Sequence, residues 1–236
     1  MADFYERHLA SQRASRLAIL DVGSADVNGS YRAIFASPSW FYTGLDMAPG
    51  KNVDVVPRDP YYWREIAAGK YDVVISGQAF EHAEFFWETM RELARALKPG
   101  GLCCILAPSA APEHRHPVDC WRFYPDGFVA VARYAGLEIL EVSTDWEAED
   151  RWFADTLLIA RKPQEGSVTK WRRALWRWLD HWVQPPRPRR VAGGASLPEP
   201  RPISQPERWF AARSSGLREV ATSPNLHATR GTNRQF

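Results

Sequence analysis

The chain has no unbroken apolar run of about 18 residues, so no stretch of it is suited to span a membrane as a helix. Cysteine is scarce: three residues in 236, with Cys103 and Cys104 adjacent in an apolar run and Cys120 alone. That is no disulfide framework, and the opening MADFYERHLASQRASR lacks the apolar core of a secretion signal. Reduced thiols and a cytoplasmic location are expected. Glycine is missing from one informative place. The run LAILDV (17–22) is followed by Gly23, but Ala25 and Val27 stand where a dinucleotide fingerprint carries further glycines. Such a row presents bare N–H groups to a pyrophosphate. Its absence disfavours an NAD(P)-linked oxidoreductase.

What is present divides the chain in two. Residues 1–162 hold 17 Lys and Arg against 23 Asp and Glu, a net of −6, whereas residues 163–236 hold 13 against 5, a net of +8. The acidic body alternates apolar runs with helical patterns. Strands are expected at 17–22, 41–46, 71–76 and 102–107, and helices near 29–37, 60–68, 84–97 and 125–135. In the third helix Phe86, Met90, Leu93, Ala94 and Leu97 recur at helical spacing, and the KPGG that follows ends it. The last two runs, 136–146 and 153–162, are separated only by a short acidic loop, which predicts an antiparallel hairpin. The fold class expected is a Rossmann-like, doubly wound, mostly parallel sheet with an antiparallel last strand.

Five motifs in order, LDVGSAD, GLDMAP, YDVVISGQAFEH, RELARALKPGGLCCILAP and HPVDCWRFYPDGF, resemble a class I S-adenosylmethionine-dependent methyltransferase over about residues 15–162. The last block resembles a subgroup of small bacterial methyltransferases linked to cell-surface glycan pathways. The resemblance implies a seven-stranded sheet, a methyltransferase domain at 1–162 and S-adenosylmethionine as cofactor. That ligand carries no phosphate, which accounts for the missing glycines. It implies cofactor-binding roles for Asp21, Gly23, Ser24, Asp46, Met47, Ser76 and Gly77. Asp21 would order the loop or meet the ligand's ammonium group, Asp46 would accept both ribose hydroxyls, and Met47 would pack on the adenine. Ser76 and Gly77 would line the methionine part. Asp59 would reach the adenine amine or cap the next helix.

Methyl transfer demands positioning of the acceptor, and a neutral hydroxyl acceptor also needs a base. His116 and Asp119 are the candidate base and its orienting partner, with His82 approaching from the other side. His114, Arg122 and Tyr124 are candidates to hold a polar acceptor, unless Arg122 pairs internally with an acid such as Glu81. The spacing of Glu113, His114, His116, Asp119 and Cys120 fits no standard zinc arrangement, so no metal is expected. The expected activity is methyl transfer to a small-molecule or glycan-linked acceptor, with oxygen favoured. Rival readings are the oxidoreductase and a non-catalytic subunit of a cell-surface assembly.

The basic end has its own pattern. In VTKWRRALWRWLDHWV, Val168, Trp171, Leu175, Trp178, Leu179 and Trp182 form one apolar face among arginines. A basic amphipathic helix is expected at 163–184, followed by a Pro- and Arg-rich disordered tail at 185–236. Such a helix suits the inner face of an anionic membrane, a subunit contact or packing on the body. Nucleic acid is the weakest partner for a body of net −6.

Overall fold

The parallel strands are apolar on both faces because each must be covered twice, and their residues alternate between two buried clusters. In the computed structural model, which describes residues 1–27, 29–145 and 153–164, six strands form one sheet. They are β1 (Leu17–Val22), β2 (Trp40–Leu45), β3 (Tyr71–Gly77), β4 (Leu97–Ala110), β5 (Glu138–Thr144) and β6 (Ala154–Arg161). The order is β2-β1-β3-β4-β6-β5. The pairings β2–β1, β1–β3 and β3–β4 are parallel, and β6 runs antiparallel to both β4 and β5. The hairpin of the last two runs is therefore present. Among the described residues there is no seventh strand. Next to β2 they form a single parallel bridge, Leu45 to Val55.

Helices cover the two faces. α2 (Phe86–Ala96) and α3 (Pro125–Tyr134) bury Met90, Leu93, Ala96, Phe128 and Ala132 against Leu20, Val74, Cys103, Ile105 and Leu158. α1 (Ala2–His8), which the polar opening of the sequence did not predict, buries Phe4 and Tyr5 on the other face with Ile19, Val73, Ile75, Cys104 and Ile159. Cys103 and Cys104 thus serve one layer each, both free, with their thiols pushed up to about 12 by burial.

Two expected helices are corrected. Residues 29–37 form only a 3-10 turn, Tyr31–Ala33, started by the Ser30 hydroxyl accepting from the Arg32 N–H. Residues 60–68 stay irregular. Tyr61, Trp63 and Ile66 are buried, but the Trp63 N–H donates to the Glu92 carboxylate at 2.9 Å rather than to a helical carbonyl. Arg95 clamps the same loop by donating to the Trp63 carbonyl and to Glu92. No described helix is long and apolar enough to cross a membrane. The expected helix at 163–184 and tail at 185–236 lie outside the described residues, except for 163 and 164.

Candidate functional site at the carboxyl ends of the strands

Parallel strands bring their carboxyl ends to one edge, where open α/β sheets bind ligands. Here β1, β2, β3 and β4 end at that edge, and antiparallel β6 begins there, with Asp155 opposite Pro108. The edge has two polar halves.

The first is the loop after β1. Gly23 has φ +78°, and a Cβ there would lie 2.3 Å from the Ala79 Cβ, so the loops after β1 and β3 touch only because this residue is glycine. The Gly23 and Ser24 N–H groups donate to the Leu45 carbonyl, and the Ala25 N–H donates to Asp46 Oδ2 at 3.0 Å. Asp46 is half-buried and Met47 is exposed beside it. The Ser24 hydroxyl donates to the Asn52 carbonyl, and the Asn52 amide donates back to the Ser24 carbonyl.

Beneath this loop Asp21 is buried. Tyr42 donates its hydroxyl to Oδ2, but Oδ1 has no partner. Burial pushes the Asp21 carboxyl up to about 6, opposed by the Tyr42 hydrogen bond and reinforced by the nearby Asp46 charge. The tyrosine is itself held by Arg32, whose guanidinium lies 4.5 Å from the ring centre and pairs with Asp54 at 2.6 Å.

The second half follows β3 and β4. Glu81 is fully buried, and neither carboxylate oxygen has a hydrogen-bond partner. Burial pushes its carboxyl up to about 7. His82 Nε2 lies 3.6 Å from Glu81 Oε1, and His114 Nε2 lies 3.9 Å from the same oxygen. Burial lowers the His82 pKa. The His116 ring packs edge-on to His82, with centroids 5.9 Å apart.

Tyr31 stands between the halves. Its ring covers Gly77 so closely that a Cβ there would come within 2.4 Å of the Tyr31 oxygen. Burial raises its phenol pKa, and the charges of Asp21, Asp155 and Glu81 act in the same direction.

Several expected roles change on this geometry. Asp119 does not orient His116. It is bound by Arg122 at 2.5 and 2.8 Å and accepts the His114 backbone N–H at 2.7 Å, and the guanidinium holds its carboxyl down at about 2. Arg122 therefore pairs with Asp119, not Glu81, and donates to the Ala111 and Pro112 carbonyls as well. The Ser76 hydroxyl is fully buried and spent on the Val22 carbonyl at 2.8 Å, a tie between strands that leaves it no proton for a ligand. Asp59 accepts the Tyr61 N–H at 2.8 Å, a turn rather than a helix cap. Glu81, Tyr31 and Tyr42 were not singled out as site residues. The acid beside His82 was visible in FEH, but its complete burial follows from the packing of the loop between β4 and α3, whose Cys120 N–H donates to the Glu81 carbonyl. Two surface hollows of about 350 and 700 Å³ lie elsewhere, and neither is lined by Asp21, Asp46 or Glu81.

Residues 20–105 match the family model described as a methyltransferase domain. A 1,6-didemethyltoxoflavin-N1-methyltransferase from Burkholderia thailandensis, solved with bound 1,6-didemethyltoxoflavin and S-adenosylhomocysteine, is similar in fold, with a TM-score of 0.53 at 14% identity over 69% of this chain and 76% of that one. A putative sarcosine dimethylglycine methyltransferase from Galdieria sulphuraria gives 0.52 at 16% identity over 69% and 85%. The [4+2]-cyclase SpnF gives 0.50 at 17% identity over 66% and 80%. No curated protein matches the sequence. Residues 20–105 are thus similar to a methyltransferase domain, the sheet shares its fold with solved methyltransferases, and S-adenosylmethionine is the cofactor that such a domain takes.

The first half of the edge fits that molecule. An orphaned buried carboxylate oxygen, Asp21 Oδ1, suits a cationic ammonium group, and a strand-end acid, Asp46, suits paired hydroxyls.

Proposed function

We propose that this domain transfers a methyl group from S-adenosylmethionine to oxygen on a small-molecule or glycan-linked acceptor. The observation that carries the reading is Asp21, a buried carboxylate with one unpartnered oxygen beneath a single-glycine loop. A buried unpaired acid costs stability, and a bound cation offsets that cost. S-adenosylmethionine supplies a methyl group on a sulfonium, released as the carbon–sulfur bond breaks with its electron pair left on sulfur.

The chain's own residues do the rest. Asp21 holds the ammonium group and Asp46 accepts from the ribose hydroxyls, while Ser24 and Gly77 shape the path between them. Met47, exposed at the rim, covers the adenine. The acceptor lies toward the histidines. His82 and His114 have their Nδ1 atoms against the Val118 and Pro112 carbonyls, at 2.6 and 2.9 Å. His116 is exposed, with its ring beside that of His82, and its proposed role is to take the acceptor's proton. Asp119 and Arg122 brace the loop that carries it.

Calorimetric titration with S-adenosylmethionine, S-adenosylhomocysteine and NAD tests the first half of the site. Binding of the first two but not the third is expected, and the reverse would overturn the reading. With an acceptor in hand, His116→Ala should lower turnover by about 10²-fold or more while cofactor affinity stays unchanged. Full turnover in that variant would remove His116 as the base.

A further inference from the structure

The spacing within 113–120 shows no metal motif, but the fold adds ligands from another segment. We infer that Glu81, His82 and His114 form a binding site for a divalent transition-metal ion, with zinc the best match. One donor atom from each lies within 4.8 Å of the others. Two of the separations, 3.6 and 3.9 Å from Glu81 Oε1 to the two Nε2 atoms, are close to the requirement. Ligands about 2.0–2.1 Å from a tetrahedral zinc stand about 3.3 Å apart, so these two separations need contract by only a few tenths of an ångström, and the third, within 4.8 Å, closes by rotation of the exposed His114 ring.

Three further observations point the same way. Glu81 is fully buried with both oxygens unpartnered, an arrangement that strands a charge unless a cation meets it. Both histidines place Nδ1 against a backbone carbonyl, which fixes the tautomer that leaves Nε2 free to ligate. The His114 side chain is 39% exposed, so the cluster opens to solvent on one side and leaves a position for water or a substrate oxygen. Two imidazoles and one carboxylate with an open position are the donor set of a catalytic rather than a structural zinc. Imidazole donors favour zinc over magnesium or calcium, which take oxygen ligands. A metal there would polarise an acceptor hydroxyl. That role rests on the methyl-transfer reading, whereas the binding itself does not.

The full chain, stripped with a chelator and dialysed, is titrated with Zn²⁺ and separately with Co²⁺. One equivalent of Zn²⁺ should bind and raise the melting temperature, and Co²⁺ should give the intense visible bands of a four-coordinate site. Glu81→Gln and the double variant His82→Ala/His114→Ala should each weaken binding by at least about 10-fold to 100-fold. The glutamine is close to isosteric and removes the buried charge, so this variant should fold without metal. It therefore separates lost ligation from lost structure. Absence of any zinc-dependent melting shift or cobalt band in the wild-type chain overturns the proposal. So does equal binding by wild type and both variants. Zinc binding in a chain that fails to bind S-adenosylmethionine would sustain the metal site while sinking the methyl-transfer reading.

Discussion

Asp21 and Asp46 are both strand-end acids, yet they differ in what a substitution should reveal. The Asp21 carboxyl sits at about 6, above its ordinary value of 3.8, because burial disfavours the charge. The folded protein therefore binds this proton more tightly than the unfolded chain. Its contribution to stability is present at low pH, is lost as pH rises through about 4 to 6, and is absent above that range. Asp21→Asn should accordingly stabilise the ligand-free protein at about pH 8, by on the order of 1–3 kcal/mol, and do little near about pH 4. Melting curves of both proteins at the two pH values check this. Affinity for S-adenosylmethionine should run the other way, weakening about tenfold per unit as pH falls below about 6 in the wild type, with a flat profile in the variant. Asp46→Ala should raise the S-adenosylmethionine dissociation constant roughly tenfold to hundredfold, from the loss of charge-assisted hydrogen bonds worth about 1.5–3 kcal/mol. It also frees the Ala25 N–H, so the loop should exchange its amide hydrogens faster.

The loop after β1 works as an element because Gly23 lets it lie on the loop after β3. Gly23→Ala imposes a positive φ on alanine and a collision with Ala79, which together should cost about 1–3 kcal/mol. Ala79→Gly in the same chain relieves the collision but not the dihedral, so it should restore part of the loss. A double-mutant cycle on melting temperature and on cofactor affinity measures the split. Elements of this kind were readable where local pattern and tertiary demand agree. Each core strand was an apolar run, and Asp21 stood last but one in β1 while Asp46 directly followed β2. The α2 segment had both its periodicity and its stop signal, and the hairpin followed from a loop too short for a crossover. The 60–68 segment was misread because Glu92, some thirty residues away, captures the Trp63 N–H that a helix would need. The lack of a seventh strand among the described residues is of the same kind, since one bridge at Val55 leaves no run to read. In the candidate site, the places of Gly23 and Asp21 at the carboxyl end of β1 were legible from position, whereas their part in binding is the proposal's. His116 and Asp119 looked like partners because they are three residues apart, but Arg122 is also three from Asp119 and carries the charge that wins. Glu81 was read only as a possible partner for Arg122, because sequence shows that an acid is present and not that it is sealed from water.

At the scale of the whole molecule, the acidic body and basic end predict separable behaviour. If residues 168–183 form the amphipathic helix that their spacing suggests, the full chain should co-sediment with anionic vesicles and a chain ending at residue 164 should not. Each basic residue near the lipid contributes about 1 kcal/mol, so raising salt should weaken the association. Vesicle binding that survives the deletion would exclude this segment as the anchor. The sheet order has a consequence of another sort, for synthesis. The strand that seals β4 is β6, the last described one, so the open edge of LCCILA waits for residues 154–161 to leave the ribosome. At about 5–20 residues per second, the interval between the end of β4 and the start of β6 is roughly 2–9 s. For that time an apolar strand edge, normally hidden in the middle of the sheet, is a template for pairing with other nascent chains. Yield of folded protein should therefore depend on translation rate across residues 110–154 and on chaperone supply, even for variants whose finished structures are equally stable.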